Sequence, residues 1–133
     1  MLLLGSAAAV LAGCGAPGND RTLEVLRADP MATLIPPGLI ESSRSEEGFR
    51  EVFGKPSYAR LRRMFTIADD LRPEEVLAEA VAAAIATGWS GERPINDQLQ
   101  TWQGSKADPH RTCAVTVLDR REVLVLLTNY DVD

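Results

Sequence analysis

A chain of 133 residues is long enough for one small domain with a single core. Its composition, 45% hydrophobic and 25% charged, is that of a globular protein and excludes a disordered, low-complexity chain. A net charge of −5 argues against nucleic acid as a partner and against attachment to anionic lipid through a polybasic patch.

Residues 1–13 are an uncharged apolar run that ends in small side chains and is followed by Cys14. The run is too short to span a bilayer as a helix, which takes about 20 residues, and has the length of a signal-peptide apolar core. Its end, Leu11-Ala12-Gly13-Cys14, resembles the lipobox of bacterial lipoproteins: an aliphatic residue, two small ones, then the cysteine. The resemblance implies that residues 1–13 are a lipoprotein signal peptide and that Cys14 becomes the lipidated first residue of the mature chain. It implies attachment at the extracytoplasmic face of the cell membrane. The first basic side chain is Arg21, so this reading expects Lys or Arg upstream of Met1. One acyl chain holds a protein only marginally, at about 0.8 kcal/mol per buried methylene, whereas the two of a diacylglyceryl group anchor it stably. Residues 14–21, with Gly15-Ala16-Pro17-Gly18, are expected to be a flexible tether, and residues 22–133 a single α+β domain.

Within that domain, Asp29-Pro30 and Pro36-Pro37-Gly38 break any long helix, leaving a helical turn over 23–27 and an edge strand over 38–43. The polar stretch 42–48 is expected to be a loop and Gly54-Lys55-Pro56-Ser57 a turn. Residues 60–67 alternate as a strand with Leu61, Phe65 and Ile67 on one face. Asp69-Asp70 offers a helix N-cap, and Pro73-Glu74-Glu75 suits a first turn. The helix predicted over 73–87 carries Val76, Leu77, Ala80, Val81, Ala84 and Ile85 as its apolar stripe. Gly88 is placed as its left-handed cap, with Trp89 closing against Ala84. Strands follow over 99–105, Arg111–Leu118 and 122–128, the last two joined as a hairpin by 119–121. The order predicts an α+β fold, an antiparallel sheet of four to five strands with one long helix packed on a face.

Three strings run through this domain: Leu26-Arg27-Ala28-Asp29-Pro30-Met31-Ala32 with Pro36-Pro37-Gly38, the helix end Ala86-x-Gly88-Trp89, and Trp102-x-Gly104-x-Lys106 followed by two terminal strands. They resemble small uncharacterised actinobacterial lipoproteins, which implies a shared fold and supplies no activity or binding residues.

Motifs for chemistry are absent: no Gly-x-Ser-x-Gly turn, no phosphate loop, no dinucleotide fingerprint. His110 is the only histidine and sits in a turn, so no metal site and no cofactor are expected. Cys113 shares a strand face with Val115 and Val117, the position of a buried, unreactive thiol. Asn129, Asp131 and Asp133 alternate like the start of a calcium loop without its remaining ligands, and are expected to be a solvated tail. Arg60 and Arg62 should point away from the Leu61 face, with Arg63 clustered beside them, as a charged edge or an anion contact. The expected function is that of a non-enzymatic, membrane-anchored envelope lipoprotein, a small interaction module that meets the membrane through Cys14 and binds an envelope protein. The alternative is a ligand-binding or enzymatic domain whose site is dispersed along the chain.

Overall fold

The computed structural model describes residues 20–91, 100–118 and 121–132. Helix α1 (Asp20–Arg27) opens the domain two residues inside the stretch expected to be tether. Thr22, Leu23 and Leu26 are buried, a one-sided spacing that lays the helix on the sheet. Asp29-Pro30 stops it, and a 3-10 turn (Pro30–Ala32) follows, capped by the Asp29 side chain, which accepts the Met31 N–H at 2.8 Å.

Strand β1 (Leu39–Glu47) pairs antiparallel with β4 (Ala59–Ile67) through a bulge at Glu41/Ser43. Between them, β2 (Arg50–Val52) and β3 (Lys55–Ser57) form a separate hairpin. Residues 42–48, expected to be a loop, are therefore mostly strand. The error has a physical cause: β1 is an edge strand that buries little and so carries no alternating apolar signal. Backbone pairing and ion pairs hold it instead, Arg27 to Glu46 at 2.8 Å and Arg44 to Glu46 at 3.0 Å.

Helix α2 (Pro73–Ala86) matches the predicted span closely, with Pro73 in its first turn. Its N-cap is Arg72, whose side chain makes no capping bond, rather than Asp69 or Asp70. Proline pushes the residue before it into extended backbone, and Arg72 has φ −92 and ψ 140. Val76, Leu77, Ala80 and Ala84 are buried, but Ile85 is 52% exposed and drops out of the expected stripe. The C-terminus closes as foreseen: Gly88 at φ +105 donates to the Ile85 carbonyl, and the Trp89 N–H donates to that of Ala84.

The remaining strands are β5 (Ser90–Gly91), β6 (Thr101–Lys106), β7 (Arg111–Leu118) and β8 (Glu122–Asn129). Six strands join in one antiparallel sheet in the order β1-β4-β8-β7-β6-β5. The fold is α+β as expected, with a larger sheet than the four to five strands foreseen and two helices instead of one. Helix α1 packs on β4 and β8, and α2 on β7. They cover the face formed by Leu61, Phe65, Val115, Val123, Val125 and Leu127, all fully buried. The Trp102 indole lies across the backbone of its neighbours: a Cβ added at Gly91 would come within 2.5 Å of the ring, and one at Gly104 closer still. This explains the spacing in Trp102-x-Gly104, since the strand must be bare where the ring crosses it.

One charged side chain is built into the covered face. Arg63 has only 1% of its side chain exposed. It makes a bidentate pair with Glu41, both bonds at 3.0 Å, and donates to the carbonyls of Met31 and Leu34 at 2.9 and 2.7 Å. Arg63 does not share the solvent face of Arg60 and Arg62. It continues the Leu61/Phe65 series and clamps the 3-10 turn to the sheet.

Candidate functional site

The three strings that stand out in the sequence converge on one buried node. Asp29 Oδ1, besides capping the 3-10 turn, accepts the indole N–H of Trp89 at 3.2 Å. Asp29 Oδ2 accepts from Lys106 Nζ, and Arg111 reaches within 3.9 Å of it. The Lys106 ammonium also lies 4.7 Å from the centre of the Trp89 ring, a cation–π distance. The Schellman turn at Gly88 places Trp89, the period of β6 places Lys106 on the face of Trp102 and Gly104, and the proline stop places Asp29. Both carboxylate oxygens are engaged, and among the described residues no buried side-chain polar atom lacks a partner. The node thus joins α1, α2, β6 and β7 and presents no unoccupied polar group to a ligand.

Cys113 lies on the same covered face and is fully buried. Burial pushes its thiol up to about 12, the Asp29 charge adding to the rise and Lys106 opposing it. A thiol held there stays protonated at neutral pH and is a poor nucleophile. The structure places the sole histidine elsewhere: His110 is exposed, its ring 5.2 Å from that of Tyr130. In a Cys14→Ala background, an alkylating reagent should modify Cys113 slowly in the native protein and promptly after unfolding. Fast native labelling would defeat this placement. The linkage runs with the raised value. The stability is fully present below the unfolded thiol's pKa of about 8.5 and is lost as pH rises toward about 12. Cys113→Ala should flatten that alkaline decline.

The other face of the sheet carries Met64, Ala114, Leu118, Leu124 and Leu126, all half-buried, with both helices on the opposite side. At one end of this face, the hairpin of β2 and β3 leans over the sheet. It leaves a groove of about 460 Å³ lined by Val52, Pro56, Tyr58, Leu126, Thr128 and Tyr130. Rings run along that end from Phe49 to Tyr58 (6.4 Å between centroids) and from Tyr58 to Tyr130 (5.1 Å). A second surface cleft, about 650 Å³, lies between the Pro37-Gly38 turn and α2 and is edged by Glu75 and Glu79.

Of the residues singled out in the sequence, Cys14 lies outside the described residues, as do Asp133 and Leu99. Arg60 and Arg62 point away from the core as expected, and Arg60 pairs with Glu47 at 2.7 Å. Asn129 is no solvated tail residue. It is 1% exposed, donates from Nδ2 to the Thr22 carbonyl at 3.0 Å and accepts the Asp131 N–H at 3.0 Å, fixing α1 to the sheet. Among the described residues no group of His, Cys, Asp and Glu is arranged to hold a metal ion. Sequence reasoning missed Asp29, legible only as a helix stop, and Phe53, which stands 99% exposed beside the Gly54 turn. A phenylalanine preceding a turn glycine was the available signal. No protein-family model matches the chain, and no match was found among curated proteins or solved structures.

Proposed function

We propose that this chain is an envelope lipoprotein, held at the extracytoplasmic face of the membrane by Cys14, whose folded part is a small non-enzymatic interaction module. The observation that carries the reading is the lipobox-like Leu11-Ala12-Gly13-Cys14 at the end of an uncharged apolar run, with a Gly/Pro tether between it and the domain. In the proposed modification, Cys14 Sγ takes a diacylglyceryl group from a phospholipid as a thioether. The thiol proton leaves with the phosphate headgroup, and water then cleaves the Gly13–Cys14 peptide bond. Among the described residues no helix is long and apolar enough to cross a membrane. Support for the interaction role comes from the sheet face around Leu124 and Leu126, whose apolar side chains neither helix covers.

Metabolic labelling with an alkyne fatty acid should mark the wild-type protein in its native host, and Cys14→Ala should abolish both the label and membrane retention. A photo-crosslinking side chain at Leu124 in the same cells should capture an envelope protein only while Cys14 is intact. An unlabelled wild-type chain would refute the anchor, and a labelled chain with no crosslink at the open face would refute the interaction role.

A further inference from the structure

We propose that the end of the sheet where α1 begins faces the bilayer, and that Phe53 seats in the lipid interface as a second attachment beside the Cys14 anchor. This rests on the anchoring proposed above.

The placement follows from the register. Asn129 pairs with Ala59 and with Arg111 at the end of the sheet, and its side chain holds Thr22 at the start of α1. The β2–β3 hairpin leaves the sheet at this same end, between Glu47 and Ala59. So do Tyr130 and Val132, 39% and 49% exposed, just past β8. Tether and apolar surface therefore share one end of the molecule. By contrast, Ile40, also exposed, sits near the start of β1 at the opposite end.

Phe53 has no role in folding that explains it. Val52 pairs with Lys55, so Phe53-Gly54 is a two-residue turn, and both residues have positive φ, +52 and +77. That is the type I′ pattern, which favours Asn, Asp or Gly at its first position and disfavours a bulky side chain. The ring is also 99% exposed and buries nothing in the core. Asparagine would suit the turn and the solvent better on both counts. A conformationally disfavoured, fully exposed ring at a hairpin tip is what an external apolar phase would use. Aromatic side chains partition to the bilayer interface, and of the three charges on the hairpin Arg50 and Lys55 suit phosphate headgroups while Glu51 opposes them.

The lengths agree. Six residue-to-residue steps lead from Cys14 to Asp20, a reach of at most about 22 Å at ~3.6 Å each. The tip at Gly54 is five residues from Ala59, at most about 17 Å at ~3.3 Å each. The hairpin leans over the open face, with Val52 and Leu126 in one groove, so tip and tether flank the same end of the sheet from its two faces.

The test couples the full chain through the Cys14 thiol to maleimide-headgroup lipid in phosphatidylcholine–phosphatidylglycerol vesicles, Cys113 being buried and out of reach. Two variants, Phe53→Trp and Ile40→Trp, are compared in vesicles whose lipids are brominated high on the acyl chains. The indole of Phe53→Trp should shift to the blue and lose emission beyond the wild-type background of Trp89 and Trp102, and that of Ile40→Trp should do neither. A wet, unquenched indole at position 53, or quenching at position 40 instead, would overturn the proposal. Failure of the anchor shows separately, as an unmodified Cys14 mass in chain isolated from cells.

Discussion

Arg63→Leu should lower folding stability by about 3 kcal/mol, the low end of the range for removing one partner of a buried ion pair, because Glu41 keeps 26% of its side chain in solvent. Leucine can replace the packing of the Arg63 stem, but not its donors. Glu41 would lose both of its 3.0 Å bonds, and the carbonyls of Met31 and Leu34 would lose theirs at 2.9 and 2.7 Å. A buried acceptor left bare costs about 1–3 kcal/mol, and several are bared at once. The guanidinium also sits 4.7 Å over the Phe65 ring, a contact that leucine keeps only as apolar packing. Arg63→Lys should recover little, because an ammonium cannot bridge a carboxylate and two carbonyls in one plane. The measurement is the denaturant midpoint at neutral pH, and a loss under about 1 kcal/mol would show that the clamp is dispensable.

The partner carboxylate gives this clamp an acid limit. The hydrogen bond from Arg63 is the main reason that Glu41 is held below the usual carboxylate range, its charge and that of Arg44 adding to the effect against some desolvation. A lowered folded-state pKa contributes stability above the unfolded value of about 4.3, and that stability is lost as pH falls through the folded value. The effect of Arg63→Leu should therefore shrink in acid. Glu46 is held low in the same sense: burial pushes it up, but hydrogen bonds from Arg27 and Arg44 outweigh that.

Elements that bury a regular stripe were legible in the sequence. β4, α2, β7 and β8 show periods of two or of helical spacing because one of their faces meets the core. β1 was legible only in its first half, as the edge strand over 38–43; the rest was not, because an edge strand with Ser42, Ser43, Arg44 and Ser45 in a row satisfies its backbone without burying side chains. Arg63 was misplaced for a related reason: beside Arg60 and Arg62 it looks like one more solvent charge. Only alternation from Leu61 and Phe65 puts it inward, and nothing local announces the distant carbonyls that receive it. Asp29 was legible as a stop but not as a node, since its partners Trp89 and Lys106 lie 60 and 77 residues on. Phe53 was passed over because an exposed ring leaves no periodic trace at all.

Asp29→Ala should cost about 3 kcal/mol or more, and the shape of a mutant cycle should reveal why. The substitution removes the cap on Met31, worth about 1 kcal/mol, and strands the Trp89 indole N–H in the core. It also leaves Lys106, 17% exposed, facing a second cation, Arg111, with no anion between them. Lys106→Met should be similarly costly, because it leaves a carboxylate whose side chain is 1% exposed without its closest counter-ion. If the node acts as one ionic unit, Asp29→Asn combined with Lys106→Met should cost clearly less than the sum of the two single changes. Asparagine keeps an acceptor for the Met31 and Trp89 N–H groups, and methionine fills the lysine stem's place over the Trp89 ring. Additive losses would mean that Asp29 and Lys106 contribute separately. In that event the node would be a cap on the 3-10 turn and a half-buried lysine that happen to meet, and the join between α1, α2, β6 and β7 would rest on apolar packing alone.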